Sequence, residues 1–121
     1  MSININIEDD QKVLKVISSG SCENLNQLKE YVLAIHNAVL SSCKTRVLVD
    51  ETRLDYKLST IDTYNSGCFI SKLEPRLQKL AVLCRLDGWT DAKFWETVAV
   101  NRGVSVQVFR VREDAESWIL N

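Results

Sequence analysis

The stretch that most constrains the fold is residues 80–86, Leu-Ala-Val-Leu-Cys-Arg-Leu. Its apolar side chains occupy both sets of alternating positions. A strand that faces water on one side alternates apolar and polar residues, so an unbroken apolar run indicates a strand buried on both faces. We therefore expect the rest of the chain to form layers around this strand.

The N-terminal residues predict an antiparallel hairpin. Ile3, Ile5 and Ile7 alternate with asparagines, a polar turn follows over residues 8–11, and residues 12–17 form a second apolar run. Two short runs joined by a few turn residues are typical of a hairpin. The following Ser-Ser-Gly-Ser at 18–21 is interpreted as a break, with Ser21 as the N-cap of a helix.

Residues 22–42 predict an amphipathic helix, because apolar residues recur there at steps of three and four. These residues are Leu25, Leu28, Val32, Ile35 and Val39. Residues 45–50 then predict a short strand that ends at Asp50, and residues 54–58 an irregular connection. A second helix is expected to begin at Ser59 or Thr60 and to stop before Pro75, because a residue that precedes proline disfavours the helical conformation. Its predicted packing face contains Ile61, Tyr64, Cys68 and Phe69.

The C-terminal part predicts two more helices around one strand. A third helix is capped by Thr90 or Asp91, and Gly103 is placed to end it in a left-handed conformation. Its predicted packing residues are Phe94, Trp95, Val98 and Ala99. Apolar residues alternate with polar ones over 104–108, which indicates a strand with one exposed face near a sheet edge. A last helix begins at about Arg112 and is packed through Ala115, Trp118 and Ile119.

The predicted order is therefore β-β-α-β-α-β-α-β-α, an α/β fold in a single domain over residues 1–121. We expect a mixed five-stranded sheet with an N-terminal antiparallel hairpin followed by three strand–helix units. The strand order stays open: consecutive parallel strands would place the connecting helices on one face, whereas a reversal would place them on both.

Composition narrows the classes of partner. Fifteen basic and 16 acidic residues give a formal charge of −1, which argues against a nucleic-acid footprint and a polybasic membrane patch. No segment approaches the roughly 20 apolar residues of a membrane span, and the N-terminus has no secretion signal, so we expect a cytoplasmic protein. Four cysteines without a Cys-x-x-Cys pair and a single histidine predict reduced thiols, no metal site and no cofactor.

Three segments near the end of the chain, together with two earlier strands, carry a resemblance to a known family. The three segments are Ala-Val-Asn-Arg-Gly at 99–103, Val-Gln-Val-Phe at 106–109, and Glu-Asp-Ala-Glu-Ser-Trp-Ile-Leu at 113–120. This ending resembles that of the SpoIIAA-like (STAS-like) family, and the strands at 46–50 and 79–82 resemble that family's strands. The resemblance implies a SpoIIAA-like βα superhelix with helices largely on one sheet face.

The resemblance also implies two kinds of function. Regulatory members of the family are similar to anti-sigma-factor antagonists, which are switched by phosphorylation of a serine in Asp-Ser-Ser-Gly at the start of the second helix. The corresponding residues here are Leu58-Ser59-Thr60-Ile61, without the aspartate or the glycine, so Ser59 and Thr60 are also interpreted as ordinary N-cap residues. The alternative function is binding of a small apolar ligand such as a lipid, since the fold is similar to that of CRAL-TRIO domains.

Candidate binding residues lie where strands end. Asp50 ends one strand, and Arg85, Asp87 and Trp89 follow the next one. Ligands gather beyond the carboxyl ends of strands in open α/β sheets, and two aspartates could act as an acid–base pair. Turns also favour aspartate for purely structural reasons. We therefore predict a non-enzymatic regulatory or protein-interaction module, with an enzyme using Asp50, Arg85 and Asp87 as the least supported alternative.

Self-association is the last expectation. If helices shield only one face of the sheet, the other face leaves apolar surface uncovered, and symmetric pairing of two chains hides such a surface. We therefore predict a homodimer. The alternative is that the first or last helix covers that face within one chain.

Overall fold

Across residues 3–121, which the computed structural model describes, the chain forms five strands and four helices in the predicted order. The strands are β1 (Ile3–Asp10), β2 (Val13–Cys22), β3 (Arg46–Tyr56), β4 (Lys79–Leu83) and β5 (Val106–Phe109). The helices are α1 (Leu25–Ser42), α2 (Thr60–Ile70), α3 (Trp89–Asn101) and α4 (Arg112–Leu120). A single 3-10 turn, Leu86–Gly88, leads into α3.

The sheet has the sequential order β1-β2-β3-β4-β5. β1 and β2 pair antiparallel, whereas β2, β3, β4 and β5 are mutually parallel. Right-handed crossovers between consecutive strands put α1, α2 and α3 on one face. The predicted mixed sheet with an N-terminal hairpin is confirmed, and the strand order left open by the sequence is the sequential one.

Both faces of the sheet are covered in its β3–β5 part. On the face of α1–α3, a large core contains Val47, Val49, Leu80 and Val82. On the opposite face α4 packs over β3, β4 and β5 and forms a second core; its buried members are Val13, Leu48, Ala81, Leu83, Phe109, Ala115 and Ile119. β4 is therefore buried on both sides, as its unbroken apolar run predicts.

The covering of the second face removes the reason given for a homodimer. The uncovered apolar face expected from the sequence is occupied by α4. Further along the same face, β1 presents Asn4, Asn6 and Glu8, which need no cover. The structure matches the alternative, in which the last helix covers this face within one chain. The homodimer stays an untested prediction.

The predicted break at 18–21 is wrong, because these residues continue β2. Ser18 pairs with Ile5 of β1, and its hydroxyl lies 2.6 Å from the hydroxyl of Tyr31. This hydrogen bond lets a serine occupy a fully buried strand position. The helix is capped by Asn24 rather than Ser21: Asn24 Oδ1 accepts from the Gln27 N–H at 2.9 Å.

β3 does not end at Asp50 but continues to Tyr56 through an irregularity. Its pairing with β2 changes from Ile17–Asp50 to Ser19–Arg53, so β3 carries one extra residue at this point. Asp50 Oδ1 accepts from the Thr52 N–H at 2.9 Å within the bulge. A bulge reverses the alternation of side chains beyond it, and Tyr56 therefore lies on the same side as Glu51 although the two are five residues apart.

The predicted packing face of α2 is wrong at Ile61 and Tyr64, whereas Cys68 and Phe69 are half-buried. Ile61 is 70% exposed and Tyr64 40% exposed, whereas the buried residues are the small Thr63, Ser66 and Gly67. Small side chains allow α2 to approach α3 closely: a Cβ on Gly67 would lie 2.8 Å from Val98 Cγ1. Phe94, predicted to pack α3, is likewise an exposed residue.

Gly103 ends the third helix in a left-handed conformation, as predicted, with φ of 90°. Side chains other than glycine are strained there. We expect Gly103→Val to lower the free energy of unfolding by about 1–2 kcal/mol, measured by urea denaturation. Gly88→Val is the matched control, because Gly88 has φ of −102° and open space around its Cβ position. Equal losses from both substitutions would show that the left-handed geometry is not the cause.

Candidate functional site

A cavity of about 260 Å³ lies between the sheet and α2. α2 packs mainly against α1 and α3 rather than against the strands, so it covers a space instead of filling it. α1 and α3 form the sides and β3 and β4 the floor. Apolar side chains from all these elements line the cavity: Val32, Ile35, Val49, Val82, Ala92 and Trp95.

A polar cluster interrupts this apolar lining. We call it the Glu51 cluster, and it consists of Ser18, Tyr31, Glu51 and Tyr56. Glu51 Oε2 accepts from the hydroxyls of Tyr31 at 2.7 Å and Tyr56 at 2.8 Å. Ser18 forms the further contact with Tyr31. Although the Tyr56 side chain is 39% exposed as a whole, its hydroxyl reaches the carboxylate, so α1, β2 and both halves of β3 meet at this one group.

The Glu51 carboxylate has no basic partner among the described residues. Two other deeply placed carboxylates do have one: Asp50 pairs with Arg112 at 2.7 Å, and Glu96 with Lys93 at 2.6 Å. Burial raises the pKa of Glu51 above its ordinary value, although the hydrogen bonds from Tyr31 and Tyr56 act in the opposite direction. Burial thus destabilises the anionic form of Glu51.

The two tyrosines are held as hydrogen-bond donors. Burial, reinforced by the neighbouring Glu51 charge, keeps the pKa values of Tyr31 and Tyr56 well above their ordinary range. Neither hydroxyl therefore ionises near neutral pH, and both continue to donate to Glu51. The geometry can hold a ligand, because it combines an apolar space with one anchored acceptor.

Glu51→Gln is expected to raise the free energy of unfolding at neutral pH, because a neutral amide avoids the cost of burying the carboxylate charge. The pKa of Glu51 is raised in the folded state, so the folded chain binds more protons than the unfolded one between the two pKa values, and stability falls as pH rises through that window. The gain should shrink as the pH is lowered below the unfolded-state pKa.

Urea denaturation across pH measures this effect. Glu113→Gln is the control, because Glu113 is exposed on α4 and its replacement should give no gain that grows with pH. A Glu51→Gln variant less stable than the natural chain at neutral pH would contradict the prediction.

Of the residues predicted from the sequence, Asp50 lies away from the cavity. Its Oδ2 accepts from Arg112 Nη2 at 2.7 Å, at the start of α4 on the other face of the sheet. Burial alone would raise its pKa, but the hydrogen bonds from Arg112 and Thr52 together with the Arg112 charge lower it below the ordinary value. Asp50 and Asp87 therefore do not form a carboxylate pair.

Arg85 and Asp87 line the cavity, and they bind each other. Arg85 Nε and Nη2 donate to the two Asp87 carboxylate oxygens at 3.0 and 2.9 Å. Trp89 is half-buried and packs against the main core; the Arg110 guanidinium lies 4.4 Å from its ring centroid. The structure thus brings Arg85 and Asp87 to the cavity that contains Glu51, and it does not bring Trp89 there.

Ser59 and Thr60 lie at the start of α2, on the outer surface. Ser59 Oγ accepts from the Asp62 N–H at 3.1 Å and so caps the helix, as one of the two interpretations predicts. Both residues are exposed. With the exposed Ile61 and Tyr64 they form what we call the α2 surface. Tyr64 is held by Arg102, whose Nη2 donates to its hydroxyl at 2.7 Å.

Sequence reasoning missed Tyr31, Glu51 and Tyr56. Tyr31 stands between Leu28 and Val32 in the apolar stripe of α1, where a phenol needs a hydrogen-bonding partner if it is buried. Glu51 follows an apolar strand directly. These two signals were present, but the bulge that aligns Tyr56 with Glu51 has no signature in the sequence.

Comparison with solved structures identifies the fold. The chain is similar to an uncharacterized protein from the DUF3478 family with a SpoIIAA-like fold, from Shewanella loihica PV-4, at 21% identity and a TM-score of 0.55; the match covers 98% of this chain and 94% of that one. It is also similar to an anti-sigma factor antagonist from Mycobacterium paratuberculosis, at 15% identity and a TM-score of 0.69, over 99% and 96% of the two chains.

No protein-family model matches the chain. No curated protein matches it either. Identities of this size establish the fold alone, so the chain has a SpoIIAA-like fold and the resemblance drawn from the sequence is confirmed at that level. Within residues 3–121, none of the helices is both long and apolar enough to cross a membrane.

Proposed function

We propose that this SpoIIAA-like fold serves as a non-enzymatic regulatory module in the cytoplasm, with residues 1–121 acting as one domain that binds a protein partner through the α2 surface. The likeness in fold to an anti-sigma factor antagonist supports a regulatory role. A role without catalysis is supported by the carboxylates that the sequence suggested: Asp50 and Asp87 are each neutralised by an arginine of their own.

The observation that carries the proposal is the exposure of Ile61. A large aliphatic side chain that is 70% exposed in the first turn of a helix contributes nothing to the core. Burying it against a partner would recover about 1.5–3 kcal/mol. Tyr64 lies one turn further along and is fixed by Arg102, so it offers an aromatic contact that loses little entropy on binding.

The hydroxyls of Ser59 and Thr60 give the same surface a means of control. A phosphate on either would stand at the N-terminus of α2, where the helix dipole favours negative charge, and it would add charge beside Ile61. Such a modification would leave the helix intact and weaken an apolar contact. The site departs from the family's Asp-Ser-Ser-Gly pattern. We therefore propose that phosphorylation regulates the α2 surface, and we assign no particular kinase to it.

Two variants test the proposal in the organism that encodes the chain. Ile61→Asp should abolish stoichiometric copurification of the partner without lowering the melting temperature, because Ile61 makes no core contact. Ser59→Asp should weaken copurification of the partner, because it adds negative charge beside Ile61. The helix should stay intact, since aspartate still caps it. Leu120→Asp is the matched control at another exposed apolar residue. A partner retained equally by Ile61→Asp and Leu120→Asp would overturn the proposal.

A second candidate function, binding of a small apolar ligand, is favoured by the cavity. Its volume of about 260 Å³ is just below the 300–1,000 Å³ of typical small-molecule sites. The space suits one short chain or ring rather than a two-chain lipid. Native mass spectrometry of protein purified from its own organism should find a bound small molecule, and a spectrum that contains only the bare chain would count against this function.

A further inference from the structure

We propose that the cavity binds a small amine, with the apolar part of the ligand between the sheet and α2 and the protonated amino group against Glu51. This inference rests on the second candidate function and adds the chemical class of the ligand. It starts from the carboxylate geometry. Both tyrosine hydroxyls donate to Glu51 Oε2, and no described residue donates to Oε1.

Oε1 is an accessible acceptor on a residue of the cavity wall. Glu51 lines the cavity, and no fully buried side-chain oxygen or nitrogen of the described residues lacks a hydrogen-bond partner. Since Oε1 has no such partner, it is not fully enclosed by protein. An acceptor fixed by two tyrosines and open on one side is a preorganised site for a donor.

The charge of the lining favours a cationic donor. Four carboxylates line the cavity: Glu51, Asp55, Asp87 and Asp91. Of the two guanidinium groups there, Arg85 is paired with Asp87. The other, Arg76, donates to the backbone carbonyls of Ser71 and Arg102. The cavity lining therefore carries a net negative charge, which attracts an amine and repels an anion.

A neutral donor satisfies only part of this site. An alcohol could donate one hydrogen bond to Oε1, but it would leave the negative charge of Glu51 uncompensated. An ammonium group both donates a hydrogen bond and compensates the charge. Hydrogen bonds between two charged partners are stronger than those between neutral groups. The apolar lining, from Val49 and Val82 on the floor to Trp95 at the side, then selects for a hydrocarbon body.

Three six-carbon probes that differ only in the head group test the proposal: hexylamine, hexan-1-ol and hexanoate. Binding is followed near neutral pH by NMR titration of the Trp95 indole and the Ala92 amide. Both residues line the cavity. We expect hexylamine to bind at least about tenfold more tightly than hexan-1-ol, and hexanoate to bind most weakly.

Three variants test whether the preference for the amine depends on Glu51 and on the cavity. Glu51→Gln should bring hexylamine down to the affinity of hexan-1-ol, whereas Glu113→Gln, the same chemical change on α4, should leave the preference unchanged. Ala92→Phe should fill the cavity and abolish binding of all the probes. Equal binding of the three probes, or an amine preference that survives in Glu51→Gln, would overturn the amine proposal while leaving apolar-ligand binding intact. If no probe binds, or if Ala92→Phe changes nothing, both are overturned.

Discussion

Ile119→Ala should lower the free energy of unfolding by about 2–5 kcal/mol, the usual loss for a large aliphatic residue in a packed core. Ile119 is 1% exposed and belongs to the core that α4 forms against the second face of the sheet. The substitution leaves a cavity between α4 and the strands. Urea denaturation should show the loss, and Leu120→Ala, at a neighbouring residue that is 58% exposed, should change stability by less than about 0.5 kcal/mol.

The same variant bears on oligomeric state. Loosening α4 uncovers apolar residues of β3 and β4, Leu48, Ala81 and Leu83, so Ile119→Ala should associate more strongly than the natural chain in sedimentation at micromolar concentration. For the natural chain, one species near 13.8 kDa would contradict the homodimer predicted from the sequence. If Ile119→Ala lowered the free energy of unfolding by no more than Leu120→Ala does, α4 would not seal the second face.

Gly67→Val is expected to cost about 1–3 kcal/mol through overpacking between α2 and α3. A Cβ at this position would lie 2.8 Å from Val98 Cγ1 and 2.9 Å from Val98 Cβ. The second atom is not a flexible end, so the helices must move apart. Valine is itself a better helix former than glycine, and any loss therefore reports crowding rather than helix propensity.

Urea denaturation measures this loss, and Asn65→Val is the control, because Asn65 is exposed on the same helix. If Gly67→Val were as stable as the natural chain, the close contact of α2 with α3 would not be needed. The cavity depends on this contact, since α2 is supported by α1 and α3 rather than by the sheet.

Elements with strong periodicity were predictable from the sequence. The apolar stripe of α1, the unbroken run of β4 and the glycine that ends α3 each follow from one local physical rule. Non-local contacts were not. Ser18 looks like a loop residue until Tyr31, 13 positions later, supplies its hydrogen bond. The continuation of β3 depends on a bulge opposite Ile17–Ser19, and nothing in residues 50–53 alone specifies that pairing.

The candidate site shows the same division. Arg85 and Asp87 could be predicted because strand ends collect ligands. Glu51 and Tyr31 come together only because α1 packs over β2, the strand next to β3. The packing face of α2 does not follow from side-chain size: large apolar residues suggest burial, but the small Ser66 and Gly67 make the contact with α3. Ile61 was expected in the core and is instead exposed, and its exposure is the observation on which the proposed function rests.

Photo-crosslinking at the α2 surface tests the central claim most directly. A photoreactive residue placed at position 61 of the full chain, in the organism that encodes it, should give one discrete crosslinked product under ultraviolet light. The same residue at position 120, another exposed apolar site, should not give that product, and Ser59→Asp should reduce its yield at position 61. A position 61 that gives no discrete product, or the same products as position 120, would contradict the proposal that α2 binds a protein partner.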